Sequence, residues 1–184
     1  PACVSQWGNL RLLIHLMIGS EFMTKTNAMR MLDKAKIPYE TFEYEFNDDE
    51  LIGLHAAAQI KTLTPAQCFK TLVTRGEKKG ILVFCVPVTA ELDLKAAAAN
   101  AGDKRVEMIH VKELFGITGY IRGGCSPIGM KKKYPTFIDS TAQNFEKIAI
   151  SGGKRGLQII LNPKDLIEFV GAIPCSITKQ YDLR

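Results

Sequence analysis

Histidine is scarce in this chain, its cysteines are unpaired, and no long apolar run is present; each shortage removes a class of function. Three histidines occur in 184 residues, His15, His55 and His110. They form no H-E-x-x-H or paired-histidine motif, and no G-x-S-x-G or GxxxxGK[ST] stretch is present. The sequence therefore points away from a metal hydrolase, with no metal site expected, and away from a Ser-His-Asp enzyme. An enzyme built on it works without a histidine base. The cysteines, Cys3, Cys68, Cys85, Cys125 and Cys175, are scattered, odd in number and free of any C-x-x-C pair. That argues against a disulfide framework and against zinc, and fits a reducing, cytosolic compartment. No apolar run reaches the roughly 18 residues of a membrane span, so no membrane association is expected. Repeats and low-complexity linkers are missing too.

What remains is an ordinary globular composition, 46% apolar and 23% charged, in a length suited to one domain. Residues 1–22 are set apart. They end in GSEF, which reads like cloning-site residues, and Met23 follows as a plausible start. A signal peptide is the rival reading of LRLLIHLMIG, but no small-x-small cleavage site follows it and His15 interrupts it. The domain is therefore expected over 23–184. Leaving out 1–22 removes Arg11 and Glu21 together, so the net charge stays at +5. That is a modest bias toward anionic partners such as nucleic acid.

The local patterns predict a helix over 24–36, with Ala28, Met31, Leu32 and Ala35 on one face. YETFEYEF alternates as a strand that points Phe42, Tyr44 and Phe46 one way. Asp48 and Asp49 can cap a short helix carrying Leu51, Leu54 and Ala58. Thr64-Pro65-Ala66-Gln67 is a compact helical start with a capping box. FKTLVT and ILVFCVPV follow as strands; the second, apolar on both faces, reads as central. LDLKAAAANAG is a helix between Asp93 and Gly102. VEMI is a strand and HVKELFG a short helix. TFID, KIAI and GLQIIL are strands, and Asn162-Pro163 opens a last helix closed by Gly171. The pattern predicts an α+β fold: a single mixed, largely antiparallel sheet with flanking helices.

Four features are candidates for chemistry. Lys70, in CFKTLV, is either an outward lysine or the wall of a pocket where it meets a phosphate or carbonyl. Gly123-Gly124-Cys125-Ser126-Pro127 is either a tight turn or a set of backbone donors close to a ligand. Cys125 has no histidine tied to it by motif and reads as incidental. Lys131-Lys132-Lys133 is a solvated run or a phosphate-steering patch. Ser151-Gly152-Gly153-Lys154-Arg155-Gly156 again joins glycines to cations.

FKTLV, LDLKAAA, RVEM, TGYIRGGCSPIGMKKKYPTFID and SGGKRGL occur in this order and, together, resemble the YbaK/EbsC family. That family is similar to the editing domain inserted in bacterial prolyl-tRNA synthetase. The resemblance runs from about Thr24 to about Cys175. It implies a deacylase, free of cofactors, that removes cysteine wrongly attached to proline tRNA, with tRNA and, transiently, prolyl-tRNA synthetase as partners. It further implies catalytic roles for Lys70, Gly123 and Gly124. Substrate contacts are implied for Tyr44, Ser126, Pro127, Ser151, Gly152 and Gly153, and tRNA contacts for Lys131, Lys132, Lys133, Lys154 and Arg155. Family members often carry Asp where this chain has Gln158. In the chemistry the family implies, the thiol of the bound cysteine attacks its own ester. Two alternatives are a deacylase for alanine or serine that activates water, and a non-catalytic tRNA- or synthetase-binding module.

Overall fold

The computed structural model describes residues 24–46 and 52–180. The segment expected to be vector-derived lies outside them, as do Met23 and the Asp48–Asp49 cap. Helix α1 (Asn27–Ala35) starts where the Thr26 side chain accepts the Met29 amide, and it stops at Lys36 in the left-handed region (φ 57). Its buried face is Ala28, Met29 and Leu32. The face is thus turned from the one expected: Met31 is exposed, because it edges a hollow beside Lys132 rather than the core. Strand β1 (Tyr39–Glu43) follows, then α2 (Ile52–Gln59) and a 3-10 turn (Pro65–Gln67).

The hairpin β2 (Phe69–Gly76) and β3 (Gly80–Pro87) pairs in register from Phe69–Pro87 to Gly76–Gly80. After them come β4 (Ala90–Leu92), α3 (Leu94–Ala101), β5 (Val106–Met108), α4 (Val111–Thr118) and β6 (Thr136–Asp139). A second 3-10 turn (Ser140–Asn144), β7 (Ile148–Ser151), β8 (Leu157–Leu161), α5 (Pro163–Val170), β9 (Ile173–Cys175) and β10 (Thr178–Gln180) complete the described order. Helix α3 is bounded as its sequence predicts. Asp93 accepts the amides of Lys95 and Ala96, and Gly102 closes it at φ 66. Asn162 and Gly171 do the same for α5.

The α+β class holds, and five of the seven strand pairings are antiparallel. The strands do not form one ladder. They divide into a five-stranded sheet in the order β5-β2-β3-β6-β9, a three-stranded sheet β1-β8-β7 and a pair β10-β4. One parallel bridge, Cys68 to Ala149, joins the two larger sheets. The ladder does not extend backward from it, for a physical reason. The amides of Gln67 and Cys68 are taken by Thr64 and Pro65 carbonyls in the 3-10 turn, so that stretch has no donors left for a neighbour.

Between the sheets, Leu157, Ile159 and Leu161 of β8 meet Ala28, Met29 and Leu32 of α1 and Leu166 of α5. The opposite face of β8 presents Ile160 to a smaller cluster with Ala57, Ile60, Cys68, Val88 and Ala149 under α2. Buried on both faces, β8 is the middle strand of its sheet. Strand β3 is central in the larger sheet, where Phe84 stacks on Phe137 at 5.1 Å between centroids. Each fully buried Leu or Ile contributes about 1.5–3 kcal/mol. Asp139 lies buried without being a site residue. One oxygen takes the amide and hydroxyl of Thr141, the other the Ile177 amide and the Thr178 hydroxyl. The carboxylate therefore fastens β10 to the end of β6, as a buried charge must be compensated.

Candidate active site

The glycine-rich stretch after α4 folds as a closed loop. Its neck is the Lys131 amide donating to Thr118 O at 3.1 Å. Inside it, the Tyr120 amide donates to the Thr118 hydroxyl at 3.0 Å, and the Tyr120 hydroxyl donates to Ile128 O at 2.6 Å. Ser126, fully buried, accepts the Ile128 amide at 3.2 Å. Asn27 of α1 braces the loop from outside by donating to Gly129 O at 3.2 Å. At the tip, Gly124 N–H donates to Ile121 O at 3.0 Å. Gly123 between them has φ 84, the left-handed position that a type II turn reserves for glycine. Gly124 has thus spent its amide. The amides of Gly123, Cys125 and Ser126 donate to no group among the described residues.

The second glycine-rich loop, Ser151 to Gly156, packs against that tip. A Cβ on Gly124 would stand 3.1 Å from the backbone of Lys154 and Arg155, and one on Gly153 would stand 3.2 Å from the Tyr120 ring. Arg155 Nε donates across the junction to Arg122 O at 2.8 Å. Side chains at these glycines would hold the loops apart. The second loop is tied to itself as well: Gly153 N–H donates to the Ser151 hydroxyl at 3.3 Å and Gly152 N–H to Leu157 O at 2.9 Å.

Register sets the face that the lysine occupies. Phe69 and Val73 of β2 point into clusters on one face, which puts Lys70, half-buried, on the other. The Cys68–Ala149 bridge sets β7 beside the start of β2. Two residues onward, Lys70 and Ser151 share a face. Ser151 pairs with Gln158 on β8, and Gln158 pairs with Phe42 on β1. Tyr44, two residues past Phe42, is bound through its amide to Gly156 O at 2.9 Å and is only 6% exposed. Its hydroxyl is the one buried side-chain polar atom among the described residues without a hydrogen-bond partner. The expected strand ends at Glu43 rather than Phe46 because its partner β8 gives way to the second loop, which leaves Phe46 exposed.

The other candidates sit elsewhere. Pro127 is turned toward a hollow of about 260 Å³ on the far side of the loop, lined with Met31, Met130, Phe169, Lys132 and Lys133. Lys131 lies over the Phe115 ring at 4.8 Å and reaches Gly116 O at 3.4 Å. Lys154 faces Glu43 at 3.8 Å. His55, on α2, contacts Glu45 O and Gln59, and His110 is exposed at the start of α4. The four described thiols are held in the protonated form. Burial pushes Cys125 and Cys85 up to about 12, and Cys68 and Cys175 up to about 11. Among the described residues no group of three His, Cys, Asp or Glu side chains is placed to hold a metal. The site offers backbone amides, a lysine and a lone phenol, and no activated nucleophile from these residues.

Residues 52–169 match the model of the aminoacyl-tRNA editing domain. The chain belongs to this family. The matched span holds Lys70 and both glycine-rich loops and leaves Tyr44 outside it. The chain is 46% identical over 154 residues to EbsC of Enterococcus faecalis, which carries the name of a Cys-tRNA(Pro)/Cys-tRNA(Cys) deacylase; the match covers 84% of this chain and 93% of EbsC. It is 22% identical over 159 residues to a proline–tRNA ligase of Brachyspira hyodysenteriae, covering 80% of this chain and 27% of the ligase. A solved structure described as a trans-editing enzyme for prolyl tRNA synthetase shares the fold, with TM-score 0.69 at 23% identity over 83% of this chain and 92% of the other. Composition alone could not find the orphan hydroxyl of Tyr44 or the face shared by Lys70, Ser151 and Gln158. Both arise from register between strands distant in sequence.

Proposed function

We propose that this editing domain is a free-standing deacylase that clears cysteine from tRNA(Pro). The observation that carries the reading is a site with donors and no nucleophile of its own among the described residues, in a chain close to a protein named for this activity. The substrate then supplies the attacking atom. A cysteinyl thiol with a pKa near 8.5 is a few per cent thiolate at neutral pH. Its sulfur attacks the ester carbonyl, and the carbon–sulfur bond forms. The carbon–oxygen bond to the ribose breaks, and the ribose oxygen takes up the proton that the thiol gave up. The cyclic thioester left behind is opened by water to free cysteine.

The protein contributes position and charge stabilisation. The Gly123 and Cys125 amides are the candidate donors to the developing oxyanion, each worth about 3–4 kcal/mol in such a role, while Ser126, fully buried, holds the loop's shape through the Ile128 amide. Gly124 serves by letting the tip seat on the second loop. Lys70 holds the ribose or phosphate of the terminal adenosine, and the substrate gives the Tyr44 hydroxyl the partner it lacks. Ser151, Gly152 and Gly153 shape the wall, since the two glycine amides and the Ser151 hydroxyl are engaged within the protein. Pro127 stiffens the loop's exit. Lys131, Lys132, Lys133, Lys154 and Arg155 meet the acceptor stem. Folding the aminoacyl group into attack geometry is worth about 7–11 kcal/mol. The likeness to part of a proline–tRNA ligase supports a transient association with prolyl-tRNA synthetase in the cytosol, which supplies tRNA selectivity.

Single-turnover deacylation of Cys-tRNA(Pro), Ala-tRNA(Pro) and S-methylcysteinyl-tRNA(Pro), with and without the synthetase, tests this. We expect only the first to be cleared rapidly, and Lys70→Ala to abolish clearance with the fold intact. Equal clearance of the S-methyl compound rules out attack by the substrate thiol; no clearance of Cys-tRNA(Pro) rules out the function.

A further inference from the structure

Helix α4 leaves its outer face uncovered. Val111 and Phe115, one turn apart, are 58% and 59% exposed, while Leu114 and Ile117 on the inner face pack under the sheet. Val111 and Phe115 together form an apolar patch on the helix surface, the kind of feature that marks an interaction site when polar groups rim it. Its surroundings identify the partner by charge. Between residues 111 and 133 the cations are Lys112, Arg122, Lys131, Lys132 and Lys133, and the only carboxylate is Glu113. That carboxylate is bound by Arg75 at 2.7 Å. Lys131 already covers one side of the Phe115 ring at 4.8 Å. The same lysine closes the neck of the site loop through its amide, so the ring stands beside the structure that presents the Gly123 tip.

An open ring with Lys131 over one face, on a stretch rich in lysine whose only carboxylate, Glu113, is paired with Arg75, suits a flat heterocycle on a polyanion. An acidic protein surface would meet the lysines equally well, yet the fixed cation over the ring leaves a single π-face open, the geometry of one stacked base. We infer that Phe115 is a stacking platform for an unpaired nucleotide near the RNA 3′ end, with Lys131 and its neighbours holding the adjoining phosphates. The inference rests on the proposed function for its biological meaning, and its physical content is tested without turnover.

The probe is an acceptor-stem RNA hairpin with a single-stranded CCA end and no amino acid attached, titrated by fluorescence anisotropy. Phe115→Ala weakens binding by about 5- to 100-fold, the range for loss of one base–aromatic stack. Phe115→Trp retains the affinity, and Phe115→Leu, apolar without a π-face, is as weak as alanine. The thermal midpoint stays unchanged because the ring is exposed. In deacylation, Phe115→Ala raises KM while kcat stays within about twofold, since a contact remote from the reacting atoms gives uniform binding. Unchanged RNA affinity in Phe115→Ala, or wild-type affinity in Phe115→Leu, overturns the inference. So does intact RNA binding together with weakened capture of prolyl-tRNA synthetase, which makes the face a protein dock. A wild-type protein that binds the hairpin but clears no Cys-tRNA sinks the proposed function alone.

Discussion

The two glycine-rich loops look alike in sequence and are wired differently. The loop from Ser151 to Gly156 joins adjacent strands and turns the amides of its first two glycines, Gly152 and Gly153, back into its own turn, through Leu157 and Ser151. The loop from Gly119 to Met130 is held by groups outside its tip, the Thr118 carbonyl, the Tyr120 hydroxyl and Asn27. That bracing leaves the amides at Gly123, Cys125 and Ser126 undirected toward the protein. One loop is therefore a floor and the other a source of donors. Glycine content alone does not separate the two; hydrogen-bond accounting does.

Substitutions in the donor loop should register as rate and those in the floor as stability. Gly124→Val places side-chain atoms against the Lys154 and Arg155 backbone, where even a Cβ stands at 3.1 Å. We expect a loss of about 100- to 1,000-fold in kcat/KM, of the order of losing an oxyanion donor, with circular dichroism unchanged. A loss of fold rather than rate would erase the distinction between the loops.

The pH profile sharpens it next. With Cys125 of the site loop and Cys85 of β3 both raised to about 12 by burial, neither thiol titrates in the working range. The rate should rise about tenfold per pH unit up to the substrate thiol's value near 8.5, then level. The same thiols affect stability with the opposite sense. Folded values above the unfolded value of 9 mean that the native state holds the proton more tightly. That stabilisation is complete below pH 9 and is lost as pH rises toward 12, so the thermal midpoint should fall through that window.

Gly152→Ala tests the floor. Its Cβ would lie 2.7 Å from the Leu157 side chain, so we expect about 1–3 kcal/mol of destabilisation in urea unfolding, with residual activity tracking the folded fraction. The smallest effect belongs to Cys125→Ala, which should leave kcat within about threefold, as expected for a protonated, buried thiol. A complete loss would make Cys125 the nucleophile and the donor loop something else.

Local chemistry was readable in the chain. Asp93, Asn162, Gly102 and Gly171 bound their helices as their residue types predict, because a cap involves neighbours in sequence. The apolar run of β3 announced a central strand. Strands β4, β9 and β10 were not legible: three residues carry little periodicity, and of the three-residue strands only β5, in the apolar-edged VEMI, stood out. Nor was the division of the sheets, which depends on amides consumed by the Pro65 turn. At the site, alternation placed Lys70 away from Phe69 and Val73. Its companions Ser151, Gln158 and Tyr44 come from three further segments, joined by register that no single window contains. The need for Gly124 is likewise an encounter between loops far apart in sequence.

The neck bond between Lys131 and Thr118 has one more consequence. With its two ends joined and Tyr120 strutting the interior, the loop reaches its working shape during folding, before any RNA arrives. Substrate capture then involves little ordering of backbone, and an unreactive mimic of the bound aminoacyl group should associate with a heat-capacity change as small as that of a rigid cleft.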